Sequence, residues 1–188
     1  MRIAIVTGSR ADWNGLGMVA KCLRADYGAL IDVIAIGQHQ GSSESLQTIN
    51  GDGFAPRVFA TNFNDDMAVG AGVACSTVGG VLGDARPDIA LVCGDRFEIA
   101  GAALAASLRR IPIAHIGGGD ITEGSIDNKL RYAITALADL HFVTNQDAMD
   151  RLTKMGYKSV YLLGNPALDR IEQWMKEKPN ATPTKEDF

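Results

Sequence analysis

Short apolar runs return at intervals along this chain, each followed by a stretch of helical length and period, and this alternation limits the possible folds more than any other feature. The runs are Ile3–Val6, Ile31–Ile36, Ile89–Cys93, Ile111–Ile116, His141–Val143 and Val160–Leu163. Between them, Leu16, Val19, Ala20, Leu23 and Tyr27 recur at the three-and-four spacing of one helix face. So do Phe97, Ala100, Leu104 and Leu108, and again Ile126, Leu130, Ala133, Ile134 and Leu137. A strand that is apolar along its whole length is covered on both faces. Such strands alternating with helices predict a parallel sheet in a doubly wound, Rossmann-like α/β fold. The chain has 188 residues, enough for one such domain. Its ordered part is expected to end near Leu163, ahead of the Pro- and Thr-rich tail "KPNATPTKEDF".

Composition narrows the function classes. A net charge of −4 argues against a nucleic-acid-binding surface, so any anionic ligand must be met by local groups. Cys22, Cys75 and Cys93 are odd in number and lack metal-ligand spacing, which points to neither a disulfide framework nor a zinc site and fits a reducing cytoplasm. The first apolar run stops at Gly8, too short for a signal-peptide core or a membrane span, and reads as a strand.

In an open α/β sheet, ligands bind beyond the carboxyl ends of the strands. Those positions carry Gly8, Ser9, Arg10 and Asp12 after the first run, Gly37 and His39 after the second, and Gly94, Asp95 and Arg96 after "IALVC". The next run opens "PIAHIGGGDITEGSIDNKLRY", with His115, three glycines, Asp120, Glu123 and Asp127 in one connection. One cleft is expected to collect them. The segment "GLGMVA" matches a nicotinamide-binding GxGxxA in letters only: Gly15 falls about two turns into the predicted helix, and the second strand lacks the ribose-binding acid. A P-loop sequence is absent.

"TGSRAD" instead opens onto a helix N-terminus, where free N–H groups favour an anion and Arg10 adds charge. The competing structural roles are explicit. Ser9 is a good helix cap and Arg10 a plausible surface charge; Asp95 is placed to cap the following helix. Asp127 is four residues from Arg131 and so able to pair with it on one helix surface, and a lone histidine such as His115 at the end of a buried strand is more often a hydrogen-bonded structural group than a catalyst.

In order, "VTGSRADWNGL", "PDIALVCGDRFEIAGAALA", "IPIAHIGGGDITEGSIDNKLRYAIT", "DLHFVT" and "LLGNPALDRI" resemble the UDP-N-acetylglucosamine 2-epimerases, and among them the hydrolysing branch that feeds sialic-acid-type sugars. The resemblance runs from about Met1 to Ile171. It implies a UDP-sugar substrate, elimination of UDP with loss of the C2 proton, and addition of water to the resulting 2-acetamidoglucal to release N-acetylmannosamine. It implies no metal and no redox cofactor, and no nucleic-acid or membrane partner. By motif match, Asp95 and Asp127 take the acid/base positions, with Asp120 and Glu123 as further carboxylates of the hydrolysing motif. Gly8, Ser9 and Arg10 fall to diphosphate binding, and His39, His115, Gly118, Gly119 and Arg131 to the sugar-nucleotide pocket, the paired glycines letting a sugar approach the backbone.

Three departures accompany the match. Gly117 stands where relatives commonly carry glutamate or another polar residue, and Asn128 where an acid is frequent. The epimerases also hold the nucleotide between two Rossmann-like domains. Residues 1–165 correspond to the first of these, and residues 166–188 to a helix and tail leading toward a second that this chain does not contain. A partner-dependent or non-catalytic sugar-nucleotide-binding subunit is the alternative function. The partner expected is a separate C-terminal half, or a homo-oligomer that buries the apolar surface facing the second domain, with Trp174 either at that interface or packed back on its own domain.

Overall fold

The computed structural model describes residues 1–61, 66–123, 126–182 and 184. Seven strands form a single parallel sheet in the order β3-β2-β1-β4-β5-β6-β7. They are β1 (Arg2–Thr7), β2 (Leu30–Ala35), β3 (Arg57–Val58), β4 (Ile89–Cys93), β5 (Ile113–Ile116), β6 (Leu140–Val143) and β7 (Val160–Leu162). The helices between and after them are α1 (Arg10–Tyr27), α2 (Ser43–Gly51), α3 (Met67–Ala85), α4 (Phe97–Leu108), α5 (Asp127–Leu137), α6 (Gln146–Lys154) and α7 (Ala167–Glu177), and one 3₁₀ turn covers Gly37–His39.

Alternation along β1 divides the core. Ala4 and Val6 join α3, α4 and Ile134 of α5 on one face of the sheet, whereas Ile3 and Ile5 join Trp13, Leu16 and Ala20 of α1 and Ile49 of α2 on the other. The chain leaves β1 toward β2 and returns on its other side at β4, so the topological switch lies between β1 and β4, where an α/β crevice opens.

The doubly wound Rossmann-like fold expected from the sequence is the one observed. Two helix faces differ from expectation. The buried side of α4 is Glu98, Ile99, Gly101, Ala102, Ala103, Ala105 and Ala106, while Leu104 and Leu108 are exposed. The cause is close helix packing: a Cβ on Gly101 would stand 2.3 Å from the Ala71 carbonyl oxygen of α3, so small residues mark the contact and bulk does not. In α5 the buried residues are Arg131, Ile134 and Thr135, and Ile126 is exposed. Tyr27, the last residue of α1 before its Gly28 cap, is also exposed. Helix α3 is long and apolar enough to cross a membrane by length and composition, and here it is the outer partner of α4.

Order continues beyond Leu163, because α7 docks on α1. A Cβ on Gly15 would lie 3.4 Å from the Ala167 nitrogen. On Gly17 it would lie 2.7 Å from Arg170, 2.8 Å from Asp52 and 2.9 Å from Trp13. The "GLG" of α1 is thus a seat for another helix. Asp52 fastens the joint, taking hydrogen bonds from Trp13 Nε1 at 2.8 Å, Lys21 Nζ at 2.5 Å and the Arg170 guanidinium. Trp174 is partly buried on α7, with Lys178 over its ring.

Candidate active site

A cavity of about 220 Å³ opens at the carboxyl ends of β1, β4 and β5, as the switch point requires. Its walls include Asp12, Cys93, Gly94, Asp95, Gly117, Asp120 and Arg131, with Asn165, Pro166 and Ala167 contributed by the start of α7.

Asp95 does not cap α4. The cap position is Arg96, whose side chain makes no capping bond, and the Asp95 carboxylate instead pairs with the Arg131 guanidinium. Arg131 is nearly buried, and its other nitrogen donates to the Asp120 carbonyl at 2.7 Å and to Asn128 Oδ1 at 3.1 Å. One cation therefore joins the β4–α4 loop, the β5–α5 loop and the first turn of α5, a use suited to the multiple donors of guanidinium. The Asp120 carboxylate is held separately, by the Thr144 hydroxyl at 2.9 Å and Asn145 Nδ2 at 2.7 Å. Asp127 begins α5 and does not line the cavity; its charge acts on Arg96, which is itself bound to the buried Glu98 at 2.9 Å. Glu123 is exposed in the turn before α5.

The other sequence-selected residues divide between cleft and scaffold. Ser9 accepts from the Asp12 backbone N–H at 3.2 Å and caps α1. Arg10 starts α1 on the same rim of the sheet as Asp95, but its guanidinium meets Glu44 of α2 at 2.6 Å and does not line the cavity. His39 is fully buried, with Nε2 2.9 Å from the Thr7 hydroxyl and Nδ1 2.6 Å from the Ser45 hydroxyl. His115 is equally buried, with Nε2 2.8 Å from the Gly94 carbonyl and Nδ1 3.2 Å from the Thr135 hydroxyl. Burial lowers both imidazoles to about 4, so each is neutral at pH 7, and the His115 Nε2–H donates to Gly94. That bond fixes the loop that presents Asp95.

Of the three consecutive glycines, Gly117 lines the cavity. It has φ of 83°, and a Cβ there would meet open space. Gly118 faces inward, where a Cβ would stand 2.9 Å from the Thr135 hydroxyl, and Gly119 combines φ of 81° with a Cβ position 3.0 Å from the Ala148 carbonyl oxygen. Packing and backbone geometry explain these two without a ligand.

Asp12, placed by the sequence at the end of the first strand but without a role there, lines the cavity. Its carboxylate accepts from the Gly8 N–H at 3.1 Å, and burial raises it to about 6 despite hydrogen bonds from Gly8 and Ser9 and the charge of Arg96. Cys93 is pushed up by burial first and by Asp12 and Asp95 next, so it remains a thiol. Among the described residues, no group of three His, Cys, Asp or Glu side chains is placed to hold a metal ion.

Residues 21–187 match the UDP-N-acetylglucosamine 2-epimerase family. The chain belongs to this family. It is 31% identical to the UDP-N,N'-diacetylbacillosamine 2-epimerase (hydrolyzing) of Legionella pneumophila, over 92% of this chain and 48% of that protein. It is 28% identical to the UDP-N-acetylglucosamine 2-epimerase of Neisseria meningitidis, over 89% of this chain and 46% of that one. The crystal structure of UDP-GlcNAc 2-epimerase from Neisseria meningitidis bound to UDP-GlcNAc superposes with a TM-score of 0.85 at 23% identity, covering 96% of this chain and 51% of that one. The Methanocaldococcus jannaschii UDP-GlcNAc 2-epimerase in complex with UDP-GlcNAc and UDP gives 0.83 at 20% identity, covering 96% and 51%. The chain thus has an epimerase fold and spans about half the length of the curated relatives it matches.

Proposed function

We propose that this chain carries the UDP-sugar-binding and acid/base half of a hydrolysing UDP-N-acetylglucosamine 2-epimerase of the cytoplasm, acting on UDP-N-acetylglucosamine or a diacetamido relative. The observation that carries the reading is the Asp95–Arg131 pair, set with Asp120 and Asp12 around one cavity at the switch point of the sheet. In the proposed reaction a carboxylate, Asp95 or Asp127, removes the C2 proton while the C1–O bond breaks and UDP departs with the bonding pair. Water then adds across the double bond of the 2-acetamidoglucal: hydroxyl to C1 and a proton to C2 from the opposite face, giving N-acetylmannosamine. Arg10 and the N–H groups of the "TGSR" turn neutralise the leaving diphosphate. Its exposed pair with Glu44 is weak enough, at roughly 0–1 kcal/mol, for the guanidinium to exchange partners.

Gly117 supports a second reading. Where relatives commonly carry a polar residue, this chain has none, and a non-catalytic or partner-dependent sugar-nucleotide-binding subunit needs none. Incubation with UDP-N-acetylglucosamine in D₂O together with a complementing C-terminal half separates the two. The epimerase reading expects N-acetylmannosamine deuterated at C2, lost in Asp95→Asn with UDP affinity nearly unchanged, and a weakened UDP affinity in Arg10→Ala. Binding without product or exchange supports the subunit reading.

A further inference from the structure

Asp12 is a carboxyl group in a place where a carboxylate should not help. It lines the same cavity as Asp95, Asp120 and Gly117, and it sits in the first turn of α1, directly after the "TGSR" turn to which the diphosphate is assigned above. One oxygen already occupies the Gly8 N–H at 3.1 Å. The other lies 3.5 Å from the Cβ position of Gly94, toward the β4–α4 loop and the cavity. An ionised Asp12 would repel a ligand phosphate and compete with it for the backbone donor. A protonated Asp12 keeps that acceptor contact through its carbonyl oxygen and gains an O–H to donate. We propose that Asp12 is a ligand-binding group of this cleft that works as the neutral acid, donating its carboxyl proton to a phosphate oxygen of a diphosphate ester. The assignment rests on the reading of the cavity as a UDP-sugar site.

The surroundings favour this use. From the β4–α4 connection, Asp12 meets Cys93, which is a thiol, Asp95, whose charge is taken by Arg131, and Arg96, whose charge is shared with Glu98. Asp120 and Arg131 face the same cavity from the β5–α5 side, and Asp127 acts through Arg96. Helix α7 presents Asn165, Pro166 and Ala167, which do not titrate. On its own side of the cleft, Arg10 is held by Glu44, and His39 is locked between two hydroxyls. Among the described residues no cation is hydrogen-bonded to Asp12, Arg96 acting on it by charge alone, and its free value of about 6 leaves it mostly ionised at pH 7 but within easy reach of protonation. Binding must then draw a proton from solution.

The test is calorimetric titration with UDP-N-acetylglucosamine, whose phosphates are both esterified and carry no proton to exchange near neutrality, in buffers of differing ionisation heat. At pH 7 the wild-type chain is expected to take up roughly one proton per ligand bound. At pH 5 the uptake should fall toward zero, and above pH 6 the affinity should weaken by about tenfold per pH unit until the bound-state value is passed. The buried histidines, with values near 4, stay neutral across the upper part of this range. Asp12→Asn, which retains an N–H donor of the same shape, should bind without proton uptake and with an affinity nearly independent of pH. Wild-type binding without uptake at pH 7, or the same uptake in Asp12→Asn, overturns the assignment of Asp12 and leaves the UDP-sugar reading intact. Absence of saturable binding at both pH values removes that reading and the assignment of Asp12 with it.

Discussion

Through one guanidinium, Arg131 ties the Asp95 carboxylate to the Asp120 carbonyl and so holds two loops of the cleft together. The sequence placed Arg131 within helical reach of Asp127, yet its guanidinium reaches across 36 positions to Asp95. Side chains four apart share a helix surface, whereas a buried fork is directed by whichever loops need a donor. Arg131→Ala removes a nearly buried cation from four acceptors, on Asp95, Asp120, Asn128 and Thr122, and should cost about 3 kcal/mol, read as a lower denaturant midpoint. The histidines behave oppositely to surface ones. His39 and His115 have folded values near 4 against an ordinary 6.5, so the fold favours their neutral forms. Their contribution is fully present above pH 6.5 and is lost as pH falls from 6.5 toward 4, by roughly 3 kcal/mol each at most. Chemical denaturation at pH 7.5 and pH 5 should show a lower midpoint at pH 5; an unchanged midpoint would mean that neither ring is held neutral by burial. The place of Asp12 at a strand end was legible but its role was not, because nothing in "SRAD" records how much protein surrounds its carboxyl.

Strands were easier to place than helix faces. β4 has the bounds its apolar run predicts, and the other five runs shift by one or two residues at their ends. β3, two exposed residues long, leaves no hydrophobic trace. Helices rich in glycine and alanine hide their buried side, because close approach selects small residues and periodic bulk no longer marks the contact. Two glycine substitutions make the difference measurable. Gly72 in α3 has nothing within 4 Å of its Cβ position, so Gly72→Ala should stabilise by about 0.5–1 kcal/mol through helix propensity alone. Gly101→Ala places the same methyl 2.3 Å from the Ala71 carbonyl oxygen and should destabilise despite the same propensity gain, because backbone must move. Gly17→Ala, crowding Asp52 and Trp13, should loosen α7 and speed amide exchange across Ala167–Glu177 before the rest of the domain responds.

At the scale of the whole molecule, the cleft is bounded by β1, β4, β5 and the start of α7, and the chain spans about half the length of the curated relatives it matches. Leu168, Ile171 and Met175 form an exposed row on α7, adjoining that same edge. A cleft open to water leaves charge-stabilising contacts in a high dielectric and reacting groups unaligned. The isolated chain is therefore expected to release UDP from UDP-N-acetylglucosamine far below 1 per second in a coupled assay, an ordinary enzymatic rate being on that order or faster. An amide NMR titration of the chain with UDP-N-acetylglucosamine shows whether this cleft takes a sugar nucleotide. Saturable shifts are expected, gathered at Gly8, Asp12, Gly94, Asp95, Gly117 and Asp120. Shifts confined to α3 and α4, or none at millimolar ligand, would contradict a sugar-nucleotide site here.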